Sequence, residues 1–217
     1  MSATAPRPTS SPLVVLGVDP GLTRCGLGVV VGPSHQARAR HLACIRTDTG
    51  LPLEQRLLAV HEGIRAVIEE NRPDAVAVER VLFSNNVNTA MATGQAAGVA
   101  LLAAAEAGLP VTSYSPSDVK LTVAGAGDAD KAAVARLVAA QLGLGSPPRP
   151  ADVADALAVA LTHLARTRVA ALSAATPAAA AVQAAATEAA SSSRGGWEAH
   201  LAARGMLPDR PPKGRTR

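Results

Sequence analysis

Four carboxylates in this 217-residue chain stand where a carboxylate needs a reason. Asp19 closes the apolar run LVVLGVD (13–19), and Glu79 closes DAVAVE (74–79). Asp152 and Asp155 lie in ADVADALAVALTHL (151–164), where their i, i+3 spacing puts them on one helix face. Each acid has an ordinary reading. An acid after a strand serves as a polar terminator or turn former, and acids in a first helical turn complement the macrodipole. The second reading suits Asp152 better than Asp155, whose neighbours Ala156, Leu157 and Val159 are those of a buried helix. The chemical reading starts from where ligands bind in α/β sheets, outside the carboxyl ends of parallel strands. If the two acid-ending strands are neighbours, Asp19 and Glu79 point into one crevice.

Four carboxylates in one cleft repel one another and persist only when cations compensate them. Hard divalent ions with oxygen ligands do this, and Mg²⁺ typically takes one or two carboxylates plus phosphate and water. Two such ions about 3.5–4 Å apart activate a water and stabilise a leaving oxygen in phosphodiester hydrolysis. Other chemistries lack their residues. There is no Cys/His cluster with zinc spacing, no GxxxxGK[ST] phosphate loop and no GxSxG nucleophile.

The elements that must carry these acids follow from patterning. LVVLGVD, CGLGVVVG (25–32) and ARHLACIRT (39–47) read as three strands in an antiparallel meander, joined by short turns. LPLEQRLLAVHEGIRAVIEENR (51–72) is an amphipathic helix with Leu53, Leu57, Val60, Ile64, Val67 and Ile68 on one face. DAVAVE is a fourth strand and LPVTSYS (109–115) a fifth. Between them runs a small-residue helix, about 88–107, whose Gly94 and Gly98 permit close packing within the fold. PSDVKLTVAG and DADKAAVARLVAAQLG read as helices, with Asp128 the candidate N-cap of the second. The last core helix spans about 151–168. The sum is an α/β domain with a mixed sheet covered by helices.

Residues 1–12 are Pro/Ser/Thr-rich and read as a disordered lead, 13–168 as the domain, and 169–217 as a low-complexity Ala-rich basic tail. Residues 164–217 hold eight Arg and Lys against three acids, while 13–163 hold 12 basic against 14 acidic residues. The basic pI therefore comes from the tail, and the core has a net charge of −2. Two Mg²⁺ would turn that to +2, so the core suits DNA only once loaded. Aromatics are 1% of the chain, which removes base stacking as a general signal of nucleic-acid binding. Cys25 and Cys44 have no metal spacing and read as free thiols. No signal peptide or membrane-spanning run is present, so the expected location is cytoplasmic.

In their order and spacing, GVDPGLTRCGLGVV (17–30), AVERVLFSNNVNTAMATGQAAGVALLAAAEAGLPV (77–111), SDVKLTVAGAGDADKAAV (117–134) and ADVADALAVALTHL (151–164) resemble the RuvC family of Holliday-junction resolvases. The resemblance covers about residues 13–166. It implies a ribonuclease-H-like fold with a five-stranded mixed sheet flanked by helices. It also implies that Asp19, Glu79, Asp152 and Asp155 are metal-binding catalytic acids for two Mg²⁺, with Mn²⁺ able to substitute. Lys120 and Lys131, on their own residues a solvated helix face, become phosphate contacts near the scissile strand. Arg80 follows Glu79 where the family often has Gln. Leu82 stands where many members carry an aromatic that stacks on a junction base, and Phe83 beside it is the candidate substitute. The implied partners are four-way junction DNA, a second copy of the chain, and the RuvA and RuvB branch-migration proteins, at the nucleoid. His163, eleven residues after Asp152 on the same helix, reads as structural.

Three other readings compete. An actin- or sugar-kinase-like ATPase shares the strand–Asp–Gly-turn–strand start but needs two such domains. A related ribonuclease-H-like nuclease would act on RNA or other branched DNA. A non-catalytic junction-binding protein would be expected to lack one of the four acids, and all four are present.

Overall fold

The computed structural model describes residues 12–81 and 87–174. The chain divides into two compact units, Met1–Arg168 and Val169–Arg217. The described part of the second unit, residues 169–174, is helical.

In the first unit, β1 (Val14–Asp19), β2 (Arg24–Val31) and β3 (Arg38–Arg46) form the antiparallel meander. A 3₁₀ turn, Ser34–Gln36, precedes β3. Helix α1 (Leu53–Asn71) leads to β4 (Ala75–Glu79), which pairs parallel to β1, and α2 (Val87–Glu106) leads to β5 (Val111–Tyr114), parallel to β4. The sheet order is β3-β2-β1-β4-β5, the five-stranded mixed sheet expected. Helices α3 (Pro116–Ala124), α4 (Lys131–Leu142) and α5 (Ala151–Ala174) complete it.

Strand alternation sorts the side chains into two cores. Val14, Leu16 and Val18 with Leu27, Val29, Val76 and Val78 pack against Val60, Ile64 and Val67 of α1 and Ala100, Ala103 and Ala104 of α2. Val15, Val30 and Ala77 on the opposite face pack against Val119 and Val123 of α3, Val134 and Val138 of α4, and Leu157, Leu161 and Leu164 of α5. With so few aromatics, Val, Leu, Ile and Ala fill both layers.

Helix α5 owes its position to glycine. Gly17 pairs with Gly28 across β1 and β2, and Gly26 pairs with Asp19, so all three glycines share the α5 face. A Cβ at Gly17 would collide with the Ala156 carbonyl oxygen, one at Gly26 with that of Asp152, and one at Gly28 with the Leu157 side chain at 2.7 Å. The missing side chains form a trough in which the helix backbone lies directly on the sheet.

Several details differ from the sequence reading. Asp130, not Asp128, caps α4: its carboxylate accepts from the Ala133 N–H at 2.7 Å, three residues on, which is the N-cap spacing. Gly94 and Gly98 do not mediate close packing among the described residues; both are exposed, and a Cβ at either meets nothing within 4 Å. Helix α5 runs to Ala174 instead of ending at 168, because alanine favours helix and no Gly or Pro intervenes before Pro177. The two cysteines are free. Cys25 pairs with Ile45 and Cys44 with Gly26, a one-residue offset that sends the thiols to opposite faces of the sheet. No helix among the described residues is long and apolar enough to cross a membrane.

Candidate active site

Parallel pairing of β1 and β4 brings the two acid-ending strands side by side. Val18 is level with Val78, so Asp19 and Glu79 leave the sheet together at its carboxyl edge, on the face that carries α5. The two carboxyls are hydrogen-bonded. Burial, the Glu79 carboxylate, and then Asp155 and Asp152 push the Asp19 carboxyl up to about 8, and burial also raises Glu79. At neutral pH Asp19 therefore holds a proton that it donates to Glu79. Asp155 acts on both acids of the sheet, and Asp152 on Asp19, so all four sequence-nominated carboxylates belong to one electrostatic cluster.

The helix acids each face a cation. Lys131, the first residue of α4, donates from Nζ to Asp155 Oδ2 at 3.1 Å. Asp155, with Asp19 and Glu79 beyond it, holds the exposed lysine above its ordinary range. Arg24 Nε lies 3.1 Å from Asp152 Oδ2. Its alignment is not that of a hydrogen bond, and this buried oxygen has no hydrogen-bond partner. Lys120 of α3 joins Glu79, Lys131 and Asp155 around a small cavity of about 50 Å³, floored by Val119, Val134 and Ala158. A wider groove of about 340 Å³ between α1 and α2, lined by Arg65, Glu69 and Glu106, lies among residues remote from these acids in the fold.

These donors suit a hard divalent ion in kind. All are carboxylate oxygens, one is buried without a hydrogen bond, and burial together with their mutual repulsion raises the proton affinity of Asp19, a repulsion that a cation would relieve. Among the described residues, however, no three of them stand close enough to enclose one ion. The cluster is resolved into pairs, Asp19–Glu79, Asp152–Arg24 and Asp155–Lys131, with a shared proton and two side-chain cations supplying the compensation.

A family model described as "Crossover junction endodeoxyribonuclease RuvC" matches residues 15–163. The chain belongs to the RuvC family. A relative of that name from Salinispora arenicola is 51% identical over 162 residues, 72% of this chain and 93% of the relative. Thermus thermophilus RuvC, solved in complex with a Holliday junction substrate, superimposes with a TM-score of 0.70 at 43% identity, over 73% of this chain and 96% of that one. The yeast mitochondrial Holliday junction resolvase, 14% identical with a TM-score of 0.51 over 72% of this chain and 81% of that one, shares the ribonuclease-H-like fold.

Within this RuvC family member the remaining nominated residues fare differently. Arg80 is exposed just past β4, where its N–H donates to the Tyr114 carbonyl at 2.7 Å and its side chain is left to solvent. Leu82 and Phe83 lie outside the described residues. His163 contacts the Tyr114 hydroxyl through Nδ1 at 3.1 Å, and burial lowers its pKa, so it is a neutral packing group as expected. Burial pushes the Cys25 thiol up to about 12, which makes it inert.

Two features escape the sequence reading. Arg24 is adjacent to Asp152 only through tertiary packing, and nothing in its local sequence signals this. The glycine trough does leave a signal: Gly26 and Gly28 stand two apart, the strand period, as Gly17 does from Asp19.

Proposed function

We propose that this chain is a Holliday-junction resolvase, which makes paired symmetric nicks in four-way junction DNA by divalent-metal-dependent hydrolysis, in recombination and repair. The convergence of Asp19, Glu79, Asp152 and Asp155 at the carboxyl edge of two parallel strands carries this reading, together with membership of a family whose names are those of junction nucleases. The nuclease domain is residues 13–168, with a lead before it and a tail after it, and the location is cytoplasmic, at the nucleoid.

Two Mg²⁺, for which Mn²⁺ substitutes, would supply an activated water and stabilise the leaving oxygen. Asp19, Glu79, Asp152 and Asp155 would hold them. To hold an ion Asp19 would have to lose its proton, and Asp155 and Asp152 would have to release Lys131 and Arg24. Lys131 would then be free to meet a DNA phosphate beside Lys120, and on this reading both lysines contact the backbone of the scissile strand. Arg80 adds an exposed cation to the same edge, and the base-contacting segment is assigned to Leu82 and Phe83.

Symmetric nicking of a two-fold junction needs two copies of the active site. The exposed face of α2 supports a homodimer. Val87, Met91, Leu101 and Leu102 are apolar and at least 43% exposed, and Gly94 and Gly98 on the same side leave room for close helix approach. RuvA and RuvB are the partners that this function requires for branch migration.

The test is incubation of the full chain with a synthetic four-way junction at millimolar Mg²⁺ or Mn²⁺. Symmetric nicks, with little cutting of matched linear duplex, are expected. Binding without cleavage across several junction sequences would sink the enzyme reading, and preferential cutting of RNA would favour a related ribonuclease.

A further inference from the structure

On the flank of the acidic cluster away from Lys120 and Lys131, two arginines stand opposite one another. Arg24 begins β2, Arg46 ends β3, and the two are direct cross-strand partners. Like charges in that position are destabilising unless something compensates them. Asp152 compensates only Arg24, through one nitrogen, and the Arg24 side chain remains 57% exposed. Arg46 is exposed, and no described carboxylate pairs with it. Arg24 stands 3.1 Å from the candidate metal ligand Asp152, and Cys44, two residues before Arg46 on the same face of β3, feels Asp152 and both guanidiniums.

The strand ends that present them are held firmly. Arg56, reaching from α1 on the other face, donates from Nε to Thr47 Oγ1 at 2.9 Å and from Nη2 to Thr23 Oγ1 at 2.8 Å. Thr47 in turn donates from its N–H to the Thr23 carbonyl at 3.2 Å and from its hydroxyl to the Leu22 carbonyl at 2.5 Å. Thr23 and Thr47 adjoin Arg24 and Arg46, so one arginine on the α1 face braces the pair on the α5 face. Placing two rigidly based forks side by side suits a tetrahedral anion with several oxygens.

We propose that Arg24 and Arg46 form a phosphate clamp for the DNA backbone, gripping the strand on the β2–β3 side of the cleavage site while Lys120 and Lys131 meet it on the α3–α4 side. This rests on the nuclease reading above and extends it to how substrate is positioned. Contacts of this kind fix register and orientation without reading sequence.

The experiment measures binding of the full chain to a synthetic four-way junction over a range of NaCl concentrations. Ca²⁺ replaces Mg²⁺ because its looser coordination disfavours the octahedral geometry Mg²⁺ demands. Arg46→Gln is expected to weaken binding roughly 5–10-fold, and Arg24→Gln/Arg46→Gln further. Removing one phosphate-binding cation lowers the slope of log affinity against log salt by about 1. Arg46→Lys restores most of the slope. Arg38→Gln removes the same charge at the other end of β3 and leaves affinity and slope unchanged. Thermal midpoints of all variants within a few degrees of the parent exclude unfolding as the cause. Unchanged affinity and slope in the double variant overturn the clamp and leave the nuclease reading standing. An equal weakening in Arg38→Gln also overturns it, as a general charge effect. A parent chain that binds neither junction nor duplex overturns both readings.

Discussion

Asp19 and Glu79 come from different strands, 60 residues apart in sequence, yet stand level at the carboxyl edge of one sheet and share a hydrogen bond. The proton between them is how the metal-free chain tolerates the pair. An acid whose folded pKa is raised to about 8 binds a proton in the folded state that the unfolded state releases near pH 4.

Stability without metal therefore falls as pH rises across that window. The fall is bounded by about 1.4 kcal/mol per pH unit for one proton. In EDTA the thermal midpoint is expected to decline from pH 5 to 8, and Asp19→Asn, which cannot ionise, flattens the decline. Saturating Mg²⁺ has the same effect by replacing the proton. Since the two compete, the Mg²⁺ concentration needed for half-maximal binding should drop as pH approaches 8. A pH-independent Mg²⁺ midpoint would remove Asp19 from the ligand set.

Asp155→Asn keeps the size of the side chain and the helix while removing a charge that faces Glu79 and Lys131. Junction nicking should drop by at least about 10²-fold, a few kcal/mol of barrier. Junction binding persists, because Lys131 loses its competing partner. Nicking near the parent rate would show that Asp155 holds no ion.

Gly26→Ala drives a methyl group into the Asp152 carbonyl, which is helix backbone and cannot rotate away. Helix α5 must lift, carrying Asp152 and Asp155 off the sheet. A drop of roughly 1–3 kcal/mol in urea unfolding, the usual range for overpacking, should accompany a larger loss of nicking than of stability. Wild-type nicking in a folded Gly26→Ala chain would mean that helix contact does not set the site.

Met91→Glu/Leu102→Glu places charge on the exposed face of α2, where both side chains are more than half exposed. Sedimentation should show a shift from dimer to monomer with little change in unfolding midpoint, and paired nicks should become single. Gly98→Ala sharpens the test. In a lone helix it gains about 1 kcal/mol, whereas in a close helix contact it costs dimer affinity.

Much is legible in the chain itself, because the period of apolar residues is set by which faces a strand or helix buries. Among the described residues the five strands and five α-helices lie within a few positions of where LVVLGVD, DAVAVE and the amphipathic runs put them, except that α5 continues six residues past its expected end. The four acids stand out as carboxylates in apolar company. The cap of α4 is ambiguous in sequence because two aspartates, at 128 and 130, precede the helix, and only the observed start at Lys131 selects Asp130 over Asp128. Gly94 and Gly98 mislead for a different reason: a bare helix face looks the same whether it meets its own fold or lies exposed.

What the sequence determined, then, is the set of elements, the residue types at their ends, and through Gly17, Gly26 and Gly28 a face without side chains. Only the tertiary structure decided that β4 lies parallel beside β1, that α5 fills the trough, and that Arg24 and Lys131 neutralise the helix acids. Local patterning records burial at each position, but the partner across a strand or helix contact is chosen by the whole chain at once. The charge balance of the site is a property of those partners.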